Sequence, residues 1–244
     1  MSIFHELIYQ PLYNIIIFFY NAIPLHDFGI AIIIVTVLIK VVLIPVSKKQ
    51  IESQKQMQEY QPKIKKIQEK YKDNKEKQTK AIMEFYKTHK INPFSGCLPL
   101  VFQLIFLIAF YRILINISAA GLVVDGSELY SFISNPGGIN HLFIGIVDLS
   151  KPNIVLAFLA AIGQYWQTKM MLDIKKDETT GSKADKKDEK VDFAQAMSKQ
   201  MMYLGPILTF VIGIKFAAGL ALYWLTSTVF SALQQEYIFK KKKD

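Results

Sequence analysis

In the stretch VTVLIKVVLIP, Val35 to Pro45, one lysine, Lys40, sits inside an apolar run with no charged residue between Asp27 and Lys48 to partner it. An ionisable group in a bilayer core costs roughly 2.5–3.5 kcal/mol on insertion scales, so such a residue either snorkels to a headgroup or serves a function. Lys40 stands eight residues before Lys48, which is about 12 Å along a helix rising 1.5 Å per residue. If Lys48 marks the interface, that exceeds the comfortable reach of a lysine stem, so water must come to Lys40. Thr36 lies four residues earlier and shares its helical face. A cation in a wet cavity without a counter-ion is available to attract an acidic group.

Other polar residues interrupt other apolar runs: Gln103, Gln164, Tyr223, Trp224, Thr226 and Ser227. Polar side chains within a span face protein and not lipid, and the plain reading of Gln103, Thr226 and Ser227 is interhelical hydrogen bonding. Catalytic chemistry finds no support. His5, His26, His89 and His141 lie far apart, and none has a carboxylate or second histidine at ligand spacing. A single cysteine, Cys97, excludes an intramolecular disulfide and any cysteine-based zinc cluster. No glycine loop ends in Gly-Lys-Ser/Thr and no serine or cysteine has a nucleophile-elbow context. No enzyme, cofactor or metal is therefore expected. A small channel or transporter using the same polar residues is the alternative, although transporter charges usually occur with opposite-sign partners near the midplane. A purely structural assembly factor is the third reading.

The elements that must position these residues follow from composition. Hydrophobic residues make up 51% of 244 and charged residues 20%, and the apolar residues come in long blocks, which is the pattern of an integral membrane protein. Five blocks approach the length a span needs: 28–46, 97–117, 153–172, 200–214 and 217–238. Of the lysines and arginines, 13 lie in 47–95, eight in 169–199 and four in the 239–244 tail, against Arg112, Lys151 and Lys215 on the other side. The lysine-rich side is then cytoplasmic, with the N-terminus outside and the C-terminus inside. The first residues show no basic n-region or small-residue cleavage site, so no cleavable signal peptide is expected in this stretch.

Within 1–27, Glu6, Gln10, Asn14 and Asn21 form a polar stripe, which reads as an amphipathic helix lying in the outer interface. Segment 47–96 carries Ile64, Ile67 and Tyr71 before Asp73-Asn74, and Ile82, Phe85 and Tyr86 after it, at helical spacing. That predicts a cytoplasmic hairpin of two antiparallel helices, entered by a bend near Tyr60-Gln61 ahead of Pro62. The loop 118–152, with Asn135-Pro136-Gly137-Gly138, reads as irregular. Residues 173–199 include DIKKDETTGSKADKKDEKVD, which is too polar to order itself and reads as a flexible linker. The terminal KKKKD is an orientation signal that could also meet ribosomal RNA or anionic lipid.

NPFSGCLPLVFQ, Asn92 to Gln103, resembles the NP-x-x-GCLP-x-x-x-Q signature of the YidC/Oxa membrane protein insertases. YQPLYN at Tyr9–Asn14, the Thr36/Lys40/Pro45 spacing, QPKI at Gln61–Ile64 and AGLALYWLTST at Ala218–Thr228 resemble the same family in the same order, so the likeness covers residues 6–239. The resemblance implies an all-α integral membrane protein with five transmembrane helices around a hydrophilic groove, open to the cytoplasm and sideways to lipid. It also implies an outer interfacial helix and a cytoplasmic hairpin. Lys40 matches the position of the groove cation, usually arginine, and Thr36, Trp224 and Gln164 match groove positions, with Gln103 ending the signature. The hairpin residues Ile64, Ile67, Tyr71, Ile82 and Tyr86 would meet incoming chains or targeting partners. The implied activity is insertion and folding of nascent membrane proteins without nucleotide hydrolysis. The implied partners are those chains and the lipid bilayer, together with the ribosome, the signal recognition particle receptor and the Sec translocon, and no DNA. Three positions depart from the pattern: Lys40 replaces arginine, Ile105 stands where a proline commonly follows, and Ala217 replaces the proline before Ala-Gly. The first exchanges a planar guanidinium fork for a flexible point charge.

Overall fold

The computed structural model describes residues 3–89, 91–92, 98–178 and 193–240. Within the signature, Pro93–Cys97 lies outside the described residues, as do 179–192 of the expected linker and 241–244 of the tail. After a single π turn at His5–Tyr9, helix α1 spans Gln10–Ala22. Helix α2, Phe28–Val42, starts where Asp27 Oδ1 accepts the Ile30 N–H at 3.0 Å, which satisfies one of the otherwise orphaned donors of its first turn.

The chain breaks at Leu43 and continues as α3, Ile44–Lys70, after a 66° bend. Pro45 explains the break, because it has no N–H to offer the Val41 carbonyl and its ring crowds the preceding turn. In the first turn of a new helix the same residue costs nothing. The bend expected near Tyr60-Gln61 is therefore at Leu43 instead, and α3 runs through Pro62 without ending. Helix α4, Lys75–Thr88, begins at Asn74, whose Oδ1 accepts the Lys77 N–H at 2.9 Å. It folds back along α3, with Gln78 Nε2 donating to the Gln68 carbonyl at 2.6 Å and Tyr60 packing on Phe85 and His89.

Helices α5 (Leu98–Ala119), α6 (Ile154–Glu178), α7 (Phe193–Gly213) and α8 (Ala218–Lys240) complete the bundle, with α6 packed on α7 and α8 and α8 packed on α2. Helix extends into both ends of the 173–199 linker, as far as Glu178 and again from Phe193. Strong polarity alone does not prevent this, since Lys and Glu are good helix formers. Among the described residues, one helix segment, Val101–Ala119, is long and apolar enough to cross a membrane by length and composition. The bent α2–α3 pair passes jointly, and Met202–Gly213 is a shorter apolar helix. The apolar runs of α6 and α8 are interrupted by Gln164 and Gln167 and by Thr226–Thr228, Gln234 and Gln235. Small residues bring α6 close to α7 and α8: a Cβ on Gly213 of α7 would lie 2.7 Å from that of Ala157, and one on Gly163 would lie 3.0 Å from the Thr228 hydroxyl of α8.

The loop between α5 and α6 is largely irregular in backbone, as expected, yet it packs as a cap. Val124, Ile139 and Leu149 are buried with α1 residues Leu12, Tyr13, Ile16 and Ile17 and with the near halves of α2, α5 and α8. Strands β1 (Leu142–Phe143) and β2 (Val147–Asp148) form a small antiparallel hairpin in it. The polar stripe of α1 binds this cap. Gln10 and Asn14 donate to the Glu128 carbonyl at 3.3 and 2.8 Å, Asn14 Oδ1 accepts the Tyr130 N–H at 2.7 Å, and Asn21 donates to Ser134 at 2.7 Å. His5 and Glu128 close the far end at 3.0 Å. Asn14 is buried, so these bonds replace its hydration completely. Asn14→Leu should destabilise the protein by about 1–3 kcal/mol, because the Tyr130 N–H loses its partner and the Glu128 carbonyl keeps only the longer bond from Gln10. Thermal unfolding in detergent measures the loss, and hydrogen exchange should localise it to 126–134.

Candidate functional site

The polar residues of α2 and α8 meet where α2 bends away. A cavity of about 120 Å³ lies there, walled by Thr36 and Lys40 of α2, by Ser47, Gln50 and Gln54 of α3, and by Phe102, Gln103 and Phe106 of α5. Tyr223, Ser231, Gln234 and Gln235 of α8 close it, with Gln167 reaching in from α6. One water needs about 10–15 Å³, so the space is roomy enough for several. Ile39, Ile51, Phe102 and Phe106 make part of the wall apolar, so the site offers both kinds of contact.

Lys40 is half-buried and its Nζ donates to Ser231 Oγ at 2.9 Å. Among the described residues no carboxylate pairs with it, and every other polar lining residue is neutral. Thr36 is buried and spends its hydroxyl proton on the Ile32 carbonyl at 2.6 Å, which leaves the oxygen as an acceptor. Ser227 donates to Gln103 Oε1 at 2.9 Å, and Gln234 donates to Ser47 Oγ at 3.0 Å. Two amide atoms are left over: Gln103 Nε2 and Gln235 Oε1 are buried with no hydrogen-bond partner, and Gln235 is 5% exposed. A buried unpaired donor or acceptor costs about 1–3 kcal/mol, so this wall gains by any polar group that enters.

Of the five groove residues expected from the sequence, Lys40, Thr36 and Gln103 share the cavity. Gln164 and Trp224 do not line it. Trp224 Nε1 donates to Gln164 Oε1 at 3.2 Å in the neighbouring seam, where a Cβ on Gly205 of α7 would touch Gln164. The cavity also takes in Ser231, Gln234 and Gln235 on α8 and Ser47, Gln50 and Gln54 on α3, which the resemblance does not mark. Both sets had a signal, since 227, 231, 234 and 235 fall on one helical face, and 47, 50 and 54 do likewise.

In the hairpin, Ile64 is buried, while Ile67, Tyr71, Ile82 and Tyr86 are half-buried. Much of their apolar surface is spent on holding α3 to α4, and Met83 is the more exposed side chain. Among the described residues, no group of three histidine, cysteine or acidic side chains could hold a metal ion.

The family model described as 60Kd inner membrane protein matches residues 18–244. A membrane protein insertase YidC of Fusobacterium nucleatum is 35% identical over 216 residues, covering 88% of this chain and 87% of that protein. Those of Geobacter metallireducens and Streptomyces avermitilis are 33% and 30% identical over 95% and 87% of this chain. The chain spans 36% and 51% of the length of these last two relatives.

If the cavity is wet in the membrane, Ser231→Cys should react with a charged, membrane-impermeant thiol reagent in open vesicles. Ile32→Cys, buried in the same bundle, should not. The comparison is made with Cys97 replaced by serine, and equal protection of both sites would show a dry cavity.

Proposed function

The chain belongs to the YidC/Oxa family of membrane protein insertases, and from that membership we propose that it inserts nascent membrane proteins through the cavity between α2, α3, α5 and α8. As a member of this family it is an all-helical protein of a bacterial membrane. One observation supports the route: a lone ammonium, hydrogen-bonded only to a neutral serine among the described residues, stands in a polar wall where two amide atoms, Gln103 Nε2 and Gln235 Oε1, lack partners.

The physics of such a wall favours transient capture. A carboxylate about 4 Å from Lys40 gains about 4 kcal/mol at an effective dielectric of 20. Stripping water from each ion costs several kcal/mol, so the pair nearly balances and does not trap its occupant. The acidic segment of an arriving chain exchanges with Ser231 for the ammonium, and peptide groups take the free positions on Gln103 and Gln235. The following apolar segment then leaves sideways into lipid. Short apolar helices such as Met202–Gly213 thin the bilayer beside the path and shorten the distance a polar tail must cross.

In this reading the cavity opens to the cytoplasm, the N-terminus is outside and the C-terminus inside. The hairpin of α3 and α4 receives the chain from the ribosome, the signal recognition particle receptor or the Sec translocon. No nucleotide is hydrolysed, because the work comes from partition of the apolar segment into lipid. A transporter would need a counter-charge for Lys40, and the described lining has none.

Lys40→Ala should slow insertion of substrates with acidic translocated tails by about tenfold or more, which corresponds to about 1.4 kcal/mol, while Lys40→Arg should retain it. Reconstituted vesicles with radiolabelled substrates measure both, and equal rates for wild type and Lys40→Ala would remove the charge-attraction step. Deleting 62–90 should impair insertion with the helical content of the bundle kept, as read by circular dichroism.

A further inference from the structure

The most exposed large apolar side chains among the described residues lie at the cap end, in its loops and in the first turns of the N-terminal helix. They are Ile146 at 83%, Ile3 and Phe132 at 77%, Leu25 at 75% and Leu7 at 72%. Ile146 tops this series at the tip of the β1–β2 hairpin, beside Ile144 at 65%. We propose that this tip, Ile144 to Ile146, is an interfacial anchor that seats in the acyl boundary of the lipid leaflet next to the cap.

The turn itself argues that the isoleucines are there for a contact. Ile146 N–H donates to the Phe143 carbonyl at 3.1 Å, and the two residues between, Ile144 and Gly145, have φ of 54° and 71°. Hairpin turns with positive φ at both central positions favour Asn-Gly or Asp-Gly, and a β-branched residue there is an outlier. This chain keeps an isoleucine in the strained position and leaves it in the open. Nothing inside the fold repays that choice, because the side chain is not packed.

The geometry holds the tip out rigidly. Asp27 ties the hairpin to the start of α2: its Oδ2 accepts the Ile144 N–H at 2.7 Å, while Oδ1 caps the helix. The Phe143 ring lies against Gly29, where a Cβ would occupy the space of the ring. On the other side, the Leu149 and Lys151 carbonyls accept from Gly219 and Ala218 at the start of α8, at 3.1 and 2.8 Å.

Lipid fits this surface better than water or a protein groove. Directly behind the apolar tip lies a charged base, in which Asp148 meets Lys151 at 3.0 Å and His141 at 3.7 Å. An apolar edge backed by charge is the pattern of an element lying in the membrane interface. Three residues beyond Lys151 the exposed apolar face of α6 begins with Ile154 and Val155 and continues through Phe158 and Ile162, a second apolar surface near in sequence that the same lipid would cover. The inference depends on membership of a membrane-protein family but not on the cavity or on which side the cap faces.

Nitroxide labels test it in the full-length protein reconstituted in phosphatidylcholine vesicles, with Cys97 replaced by serine. A label at Ile146→Cys should collide with oxygen several-fold more than with a water-soluble nickel complex, relative to a control at Ser127→Cys in the same cap. A label at Leu142→Cys keeps both isoleucines, and adding Ile144→Asn and Ile146→Asp should shift its ratio several-fold toward nickel. Control-like nickel access at Ile146, or an unchanged ratio at Leu142, would overturn the anchor. So would dipolar broadening showing that a second copy covers the tip. Because the readout is depth and not insertion, an inactive groove would leave this result standing, and an immobile ratio would leave the groove standing.

Discussion

The hydrogen bond that Pro45 cannot make governs the middle of this molecule. Without it α2 would continue straight, and Thr36 and Lys40 would face a different neighbour from Ser47, Gln50 and Gln54. The 66° bend at Leu43 turns two short polar stripes into one continuous wall. Helix α8 answers with Ser231, Gln234 and Gln235. A bilayer tolerates polar side chains at this density only where they face protein or a water-filled space, and the bend creates that space.

The opposite end of the bundle solves the reverse problem. There α1 and the α5–α6 loop fill the volume with apolar side chains and satisfy their polar groups on each other. Asn14 alone joins three backbone groups, the Gln10 and Glu128 carbonyls and the Tyr130 N–H. One end is thus dense and the other hollow, and both arrangements come from where a few amides and one proline stand.

Much of this was legible in the sequence. The apolar blocks mark the helices because a span must be apolar over a fixed length, and the isolated charge of Lys40 marks the cavity. What escaped involved partners distant in the chain. The stripe on α1 reads as that of an interfacial amphipathic helix, and its partners lie 114 to 118 positions later. Gln164 and Trp224 resemble groove residues, but their hydrogen bond turns them to each other in the seam of α6 and α8. The stripe Thr36–Lys40 does continue to Gln54, although the proline between its halves disguised the continuity. Local periodicity records which face of a helix is polar and does not say what covers that face.

The uneven distribution of buried side chains has a mechanical consequence. In α2 they occupy the first half, Phe28 to Thr36; in α5 the second, Ala109 to Ile117; in α6 the stretch Leu156 to Ala160. All of these lie toward the cap. Local opening costs least where few apolar contacts are lost, so among the described residues α2 and α5 are clamped at one end and comparatively free at the other. The bundle is built like a clothes-peg whose spring is the Asn14-centred cap and whose free jaw is the far end of α2, set against an α8 that stays buried as far as Gln235.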